Sequence, residues 1–224
     1  MSFFLTNVFN GDIYANNVRV GRGNGGNAFS TVTGYLALNS AISPTTNHTA
    51  MGYAALTNNL GGQQNTAFGY FAGAGITTGS FNTCIGSGFG TDPVFNVTTQ
   101  NFRLVMGETY VTNAYVQVPW TVVSDARDKT EIEALDRGLD FVQQLKPVTF
   151  RFKKTREETE AHGPLRAGFL AQDIVPLEDR PIVIDRDDPE KLRLQGEALV
   201  PILVNAVKQL ADEIKALKQS LEKS

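Results

Sequence analysis

Apolar side chains follow two different periods along this chain, and each period predicts a different kind of structure. In the first half, four short apolar blocks each contain one aligned glycine, and successive glycines are 18, 17 and 17 residues apart: Gly34, Gly52, Gly69 and Gly86. A short strand, a glycine-permitted turn, a second short strand and a loop would form one coil of a solenoid. We therefore predict a mainly β solenoid. The alternative, a glycine-rich loop region, does not explain the regular spacing.

The second period lies at the C-terminal end and alternates steps of three and four residues. Its members are Val200, Leu203, Val207, Leu210, Ile214, Leu217 and Leu221. This is the a/d pattern of a coiled coil and predicts a helix over about 197–222. A lone amphipathic helix packed on its own domain is the alternative, and the strict spacing favours a partner helix. The apolar pattern alone does not exclude a dimer.

Charge divides the chain near Trp120. Residues 1–119 carry six charged side chains and no lysine, whereas every lysine lies at or after Lys129. Alternating apolar residues in 94–118 predict an extended stem between the repeats and the charged part. We expect three parts: 1–20 for attachment to a virion, 21–119 as the β repeats and stem, and 120–224 as an α+β domain that ends in the coiled-coil helix.

Composition also limits the chemistry that this chain can perform. One cysteine, Cys84, and two separated histidines, His48 and His162, make a metal site within one chain improbable, and we expect no metal and no cofactor. A net charge of −3 gives no basic surface for nucleic acid. No apolar run is long enough to span a membrane, and the first residues lack a secretory-signal pattern, so we expect no membrane insertion.

The glycine blocks resemble repeats found in phage fibres and in the heads of trimeric adhesins. That resemblance covers about residues 20–90 and implies three chains in a β-roll or β-prism. We therefore expect a trimeric β fibre followed by the α+β domain.

A second resemblance begins at Ser124 and extends through the rest of the chain. The segment Ser124-Asp125-Ala126-Arg127-Asp128-Lys129 is similar to the S-D-x-R-x-K signature of the peptidase S74 family, the intramolecular chaperones of phage endosialidases, tail fibres and neck appendages. Residues 139–152, 168–176 and 197–224 are similar, in order, to later segments of that family. This resemblance implies a homotrimer that is assembled by its C-terminal domain.

The same resemblance implies self-cleavage between Val123 and Ser124. Ser124 would attack the preceding carbonyl, and Lys129 is the candidate base, which requires burial or cationic neighbours to favour the neutral amine. Arg127 could add positive charge nearby, although Asp125 and Asp128 oppose it. Alternatively, Ser124 and Asp125 cap a turn while Arg127 and Lys129 form surface ion pairs. For Asp125 and Arg127, this structural role is the favoured reading.

These observations predict a phage tail-fibre protein located in the virion. Its expected partners are two further copies, other tail or baseplate proteins through the N-terminal segment, and a host surface receptor, with glycan as one candidate class. The main alternative is an adhesive tail subunit that never cuts and keeps the C-terminal domain as its tip. A glycan-degrading enzyme is disfavoured because the first half has only three acids, and a bacterial adhesin because no export signal or anchor is recognisable.

Overall fold

The computed structural model describes residues 11–24, 29–41, 47–88 and 97–223, and these divide into two compact units. One unit comprises residues up to 113 together with 154–158; the other comprises 114–153 and 159–224. None of the described helices is long and apolar enough to cross a membrane. The domain boundaries expected from the sequence stay predictions.

The first unit is a β-solenoid, as predicted. Its single sheet contains seven short strands in chain order: β1 (Ile13–Ala15), β2 (Val18–Gly21), β3 (Thr31–Thr33), β4 (Thr49–Met51), β5 (Thr66–Phe68), β6 (Thr83–Ile85) and β7 (Leu104–Met106). Strands β3 to β7 pair in parallel, each with the equivalent strand of the next coil. The middle residue of each pairs with the middle residue of the next strand and points inward, and this row is Val32, Ala50, Ala67, Cys84 and Val105.

Each coil contains one strand, where the repeat pattern predicted two. The segments after Gly34, Gly52 and Gly69 have left-handed residues in place of a second strand, for example Ala54 at φ 52° and Leu56 at φ 52°. Alternating left-handed residues interrupt an extended strand. Hydrogen bonds still join neighbouring coils there, because the Leu56 N–H donates to the Ala72 carbonyl at 3.0 Å.

The glycine column explains why the coils can stack so closely. Gly52 has φ 134°, which side-chain-bearing residues rarely adopt, and a Cβ added to it would fall on the carbonyl of Gly69 in the next coil. A Cβ added to Gly34 would likewise fall on the carbonyl of Gly52, and one added to Gly69 would fall on the carbonyl of Gly86. Gly107 continues the column as a fifth coil that the sequence analysis missed, because the step from Gly86 is 21 residues.

A polar ladder of Ser30, His48, Asn65 and Asn82 runs up the corner that precedes strands β3 to β6. Each side chain accepts the backbone N–H of the equivalent residue in the next coil, with distances of 3.1 Å to Ser30 Oγ, 3.2 Å to His48 Nδ1 and 2.9 Å to Asn65 Oδ1. Asn82 Oδ1 accepts the N–H of Arg103 at 3.0 Å. The ladder satisfies buried backbone groups that would otherwise destabilise the corner.

The antiparallel hairpin β1–β2 covers the first coil. Arg19, only 6% exposed, donates to the Ala37 carbonyl at 3.2 Å and to Asn24 Oδ1 at 2.6 Å, and it forms an ion pair with Asp12. Part of the predicted attachment segment 1–20 therefore lies within the solenoid sheet. Residues 1–10 of that segment lie outside the described residues.

The second unit is an α+β region with a long C-terminal helix, as predicted. Its elements are α1 (Leu139–Gln144), β8 (Val148–Phe152), β9 (His162–Gly168), α2 (Ala171–Ile174), β10 (Ile184–Asp185), β11 (Arg193–Leu194) and α3 (Leu199–Leu221). Strands β8 and β9 are antiparallel, as are β10 and β11. The core is built by Phe141, Ile174, Val183, Ile184, Leu199 and Ile202.

A buried carboxylate holds the loop before β10. Glu178, whose side chain is fully buried, accepts the backbone N–H groups of Ile182, Val183 and Ile184 at 2.8–3.1 Å. Its charge is offset by Arg137 at 3.1 Å and Arg186 at 3.6 Å. Three amide donors and two cations together compensate for removing this carboxylate from water.

Replacing a column glycine should damage the solenoid far more than replacing a loop glycine. Gly52→Ala places a methyl on the Gly69 carbonyl at an unfavourable φ, so we expect a loss of about 3 kcal/mol. This corresponds to a decrease in Tm of roughly 6–12 °C, measured by thermal unfolding. Gly61→Ala is the matched control because a Cβ there meets nothing within 4 Å. Equal Tm values for the two variants would contradict the tight stacking.

Acid should weaken the solenoid through His48. Burial lowers the pKa of this histidine below its ordinary value of 6.5, so the unfolded chain binds a proton more readily than the folded chain. The free energy of unfolding therefore has its full value above pH 6.5, where His48 is neutral in both states, and decreases as the pH falls below 6.5. We expect Tm, measured from pH 8 to pH 5, to fall below pH 6.5. His48→Asn introduces the residue found at the next two ladder positions, Asn65 and Asn82, and should make Tm less dependent on pH. An unchanged dependence of Tm on pH would exclude His48 as its source.

Candidate functional site

The candidate site lies on a single turn at the start of the segment that resembles the S74 family. Residues Ala126–Asp128 form a 3-10 turn, and Asp125 begins it in an extended conformation. The Asp125 carboxylate accepts the Arg127 N–H at 2.9 Å, and the Lys129 N–H donates to the Ala126 carbonyl at 3.2 Å. This capped turn reverses the chain and directs the Lys129 side chain back to Ser124.

The turn brings the two predicted catalytic side chains together. Lys129 Nζ lies 2.8 Å from Ser124 Oγ and 3.2 Å from the Ser124 carbonyl oxygen. The first distance is within the range at which a base and a nucleophile exchange a proton. Because the carbonyl is a second acceptor for the same amine, the lysine is held on the C-terminal side of the serine.

The other two motif residues have a structural function in this turn. Arg127 Nη2 lies 2.6 Å from Asp125 Oδ2. The side-chain hydrogen bond from Arg127 is the main cause that lowers the pKa of the Asp125 carboxyl, and the hydrogen bond from the Arg127 backbone lowers it further. The Asp125 carboxylate in turn raises the pKa of Arg127. Because the pair neutralises its own charge, the positive field that Arg127 was expected to supply is largely cancelled. Asp125 caps the turn through the hydrogen bond from the Arg127 N–H, which is the structural role favoured for it from the sequence.

The chain on the N-terminal side of Ser124 has no partner within the described part of the molecule. Residues 114–123 are all exposed and take part in no hydrogen bond or ion pair there. Their side chains are nevertheless those of a β-strand, including Trp120 at 69% exposed and Val123 at 75% exposed. Ser124 and Lys129 are also exposed in the single chain, so the peptide bond between Val123 and Ser124 is open to solvent.

The C-terminal helix presents the predicted seam to solvent and packs on its own unit through a different face. Leu199, Ile202 and Ala206 are buried, and Asn205 donates to the carbonyls of Leu135 and Arg137 at 3.0 Å each. The seam residues Val200, Leu203, Val207, Leu210, Ile214, Leu217 and Leu221 remain between 41% and 67% exposed. The alternative of a helix that packs only on its own domain therefore does not account for the heptad face.

The sequence analysis missed the buried glutamate that holds the loop before β10. Glu178 was not predicted as a structural centre because nothing in its local sequence distinguishes it from a surface glutamate. Within the described ranges, no group of three or more His, Cys, Asp or Glu side chains is arranged to hold a metal ion.

Comparison with known families identifies the region that contains this turn. Residues 124–178 match the family model Peptidase S74, described as chaperone of endosialidase, and the match begins at Ser124 itself. It covers about a quarter of the chain. No curated protein and no solved structure matches the sequence.

Proposed function

We propose that this chain, whose residues 124–178 carry an S74 chaperone-of-endosialidase domain, is a phage tail-fibre subunit that assembles as a trimer and then cuts itself. The β-solenoid followed by this domain fits such a fibre. One observation carries the cleavage proposal, namely the 2.8 Å distance between Lys129 Nζ and Ser124 Oγ at the start of the matched segment.

The reaction is an acyl transfer followed by hydrolysis. The neutral Lys129 amine removes the proton from Ser124 Oγ, which attacks the carbonyl carbon of Val123. The peptide bond breaks, its nitrogen receives the proton, and the Val123 acyl group is left as an ester on Ser124. One water molecule then hydrolyses the ester, which leaves a carboxylate on Val123 and a free amine on Ser124.

Assembly would control this reaction through the environment of the lysine. In the single chain Lys129 is exposed to water. Three chains that meet along residues 114–123 would exclude water from the neighbouring turn and favour the neutral amine. Cleavage would then follow folding, and the finished fibre would be difficult to unfold reversibly once its chaperone is detached.

The exposed seam of α3 supports the chaperone part of the proposal. Pairing the solenoids of three chains requires contacts between distant residues, which form slowly and expose aggregation-prone strands. A helix that trimerises first raises the effective concentration of the three chains and sets their register. Residues 124–224 would therefore act before the solenoids associate.

The expected virion partners complete the proposal. The N-terminal segment would attach to other tail or baseplate proteins, and the fibre would contact a host surface receptor. A non-cleaving tail subunit is the second candidate, and the solvent exposure of Lys129 in the single chain favours it. The two candidates differ in the mass of the denatured polypeptide chains.

Substitution at the turn should separate these candidates. We expect the wild type to yield fragments 1–123 and 124–224, and Ser124→Ala to remain intact, in denaturing electrophoresis and intact mass measurements. Lys129→Arg keeps the positive charge but cannot act as a base near neutral pH, so we expect cleavage to slow by roughly 10³-fold or more. Asp128→Asn, in the same turn, is the control and should cut normally.

Two results would contradict the cleavage proposal. A wild-type trimer that stays intact would favour the non-cleaving tail subunit. Cleavage of Lys129→Arg at the wild-type rate would show that the lysine is not the base.

Charge within the helix seam should prevent assembly. Ile214→Glu places a carboxylate in the predicted interface, and we expect association to weaken by at least roughly 100-fold because an unpaired charge would be buried. Gln219→Glu adds the same charge on the outer face of α3 and should leave the trimer intact. Sedimentation equilibrium measures both variants. Equal masses for the two would place the interface elsewhere.

A further inference from the structure

The outward side of the parallel sheet carries an unusual row of large apolar side chains. The third residues of β4 to β7 pair in register along the solenoid, and they are Met51, Phe68, Ile85 and Met106. All four are exposed, from 37% at Met51 to 55% at Met106. Outward positions on a sheet that faces water are usually polar, so this row is typical of a covered surface.

A second row, of tyrosines, runs on the other side of the glycine column. Tyr35, Tyr53 and Tyr70 are 40–46% exposed, and their ring centroids are 5.7 Å and 5.2 Å apart. Phe71 also contacts Tyr53 and Tyr70. The glycines between the two rows have no side chains and leave their backbone accessible. We call these two rows and the glycine column the outer apolar face.

The area of the outer apolar face is large for a surface in water. Taking about 200 Å² for each of its seven large side chains, the exposed fractions amount to on the order of 600 Å². Stable interfaces bury about 800 Å² on each partner, and a single protein rarely leaves a contiguous apolar patch of this size uncovered.

Charge and periodicity favour another copy of this chain as the partner. No charged residue occurs between Arg22 and Asp92, so the coils that carry Tyr35, Tyr53 and Tyr70 present no like charges to a second copy. The rows repeat once per coil, at the strand spacing of about 4.8 Å. A partner that fills every position of the rows must have the same repeat, and a second solenoid of the same sequence has it.

We propose that the outer apolar face is the surface through which the solenoids of neighbouring copies bind one another. This inference rests on the proposed trimer and adds a second interface to the one expected at the α3 seam. Tyr53 and Tyr70 stack with their ring planes 17° apart, and Tyr35 is tilted by 31° against Tyr53, so the rings cover part of one another's surface.

Thiol labelling of the full-length protein tests the proposal. Cys84→Ala removes the native thiol and supplies the residue found at the equivalent position of the preceding strand, Ala67. In that background, Phe68→Cys places a thiol on the outer apolar face, and Leu60→Cys places one on the loop of the preceding coil, where Leu60 is 47% exposed against 54% for Phe68. The probe is a water-soluble maleimide, and sedimentation gives the oligomeric state of each sample.

We expect the thiol at position 68 to react at least roughly tenfold more slowly than the thiol at position 60 in the trimer, and both to react equally fast after denaturation. Equal rates in a trimer would overturn the inference while leaving the proposed function intact, and would leave the face open to a glycan or another protein. A monomer in sedimentation would contradict both the inference and the proposed trimer.

Discussion

Close approach of backbone to backbone between successive coils is the constraint on which the solenoid depends. Neighbouring coils meet where Gly34, Gly52 and Gly69 are in turn covered by the next glycine carbonyl, and a single methyl group would not fit. This spacing keeps strands β3 to β7 paired, and it brings the polar ladder residues within hydrogen-bonding distance of the next coil. Small interior residues such as Ala50 and Ala67 follow from the same restriction.

A narrow interior limits how much apolar surface each chain can bury alone. The solenoid core consists mainly of alanine and a few larger residues, whereas its largest side chains, such as Phe68, point outward. The same division occurs in α3, where Ile202 packs inward and Leu217 stays exposed. Both units therefore leave apolar surfaces that a single copy does not cover, and the proposed trimer would bury them.

Periodic features could be predicted from the sequence, whereas features set by distant residues could not. The aligned glycines correctly predicted a solenoid because each coil repeats the same local requirement. The missing second strand was not foreseen because left-handed conformations at Ala54 and Leu56 are chosen by contacts with neighbouring coils rather than by local propensity. Leu104–Met106 was assigned to a stem because its 21-residue step hides the fifth coil.

At the candidate site, the motif supplied the candidate residues, and the structure shows how they are arranged. The pairing of Arg127 with Asp125 agrees with the structural role that was favoured for both residues.

The hydrogen-bond pattern on either side of the junction also bears on what a break in the chain would cost. Since residues 114–123 have no hydrogen-bonding partner among the described residues, severing the backbone at their end removes no internal bond from either unit. Cleavage at the end of residues 114–123 therefore breaks one covalent bond and no hydrogen bond of this segment. Hydrolysis there would leave the hydrogen bonds of the neighbouring turn at Ala126–Asp128 in place.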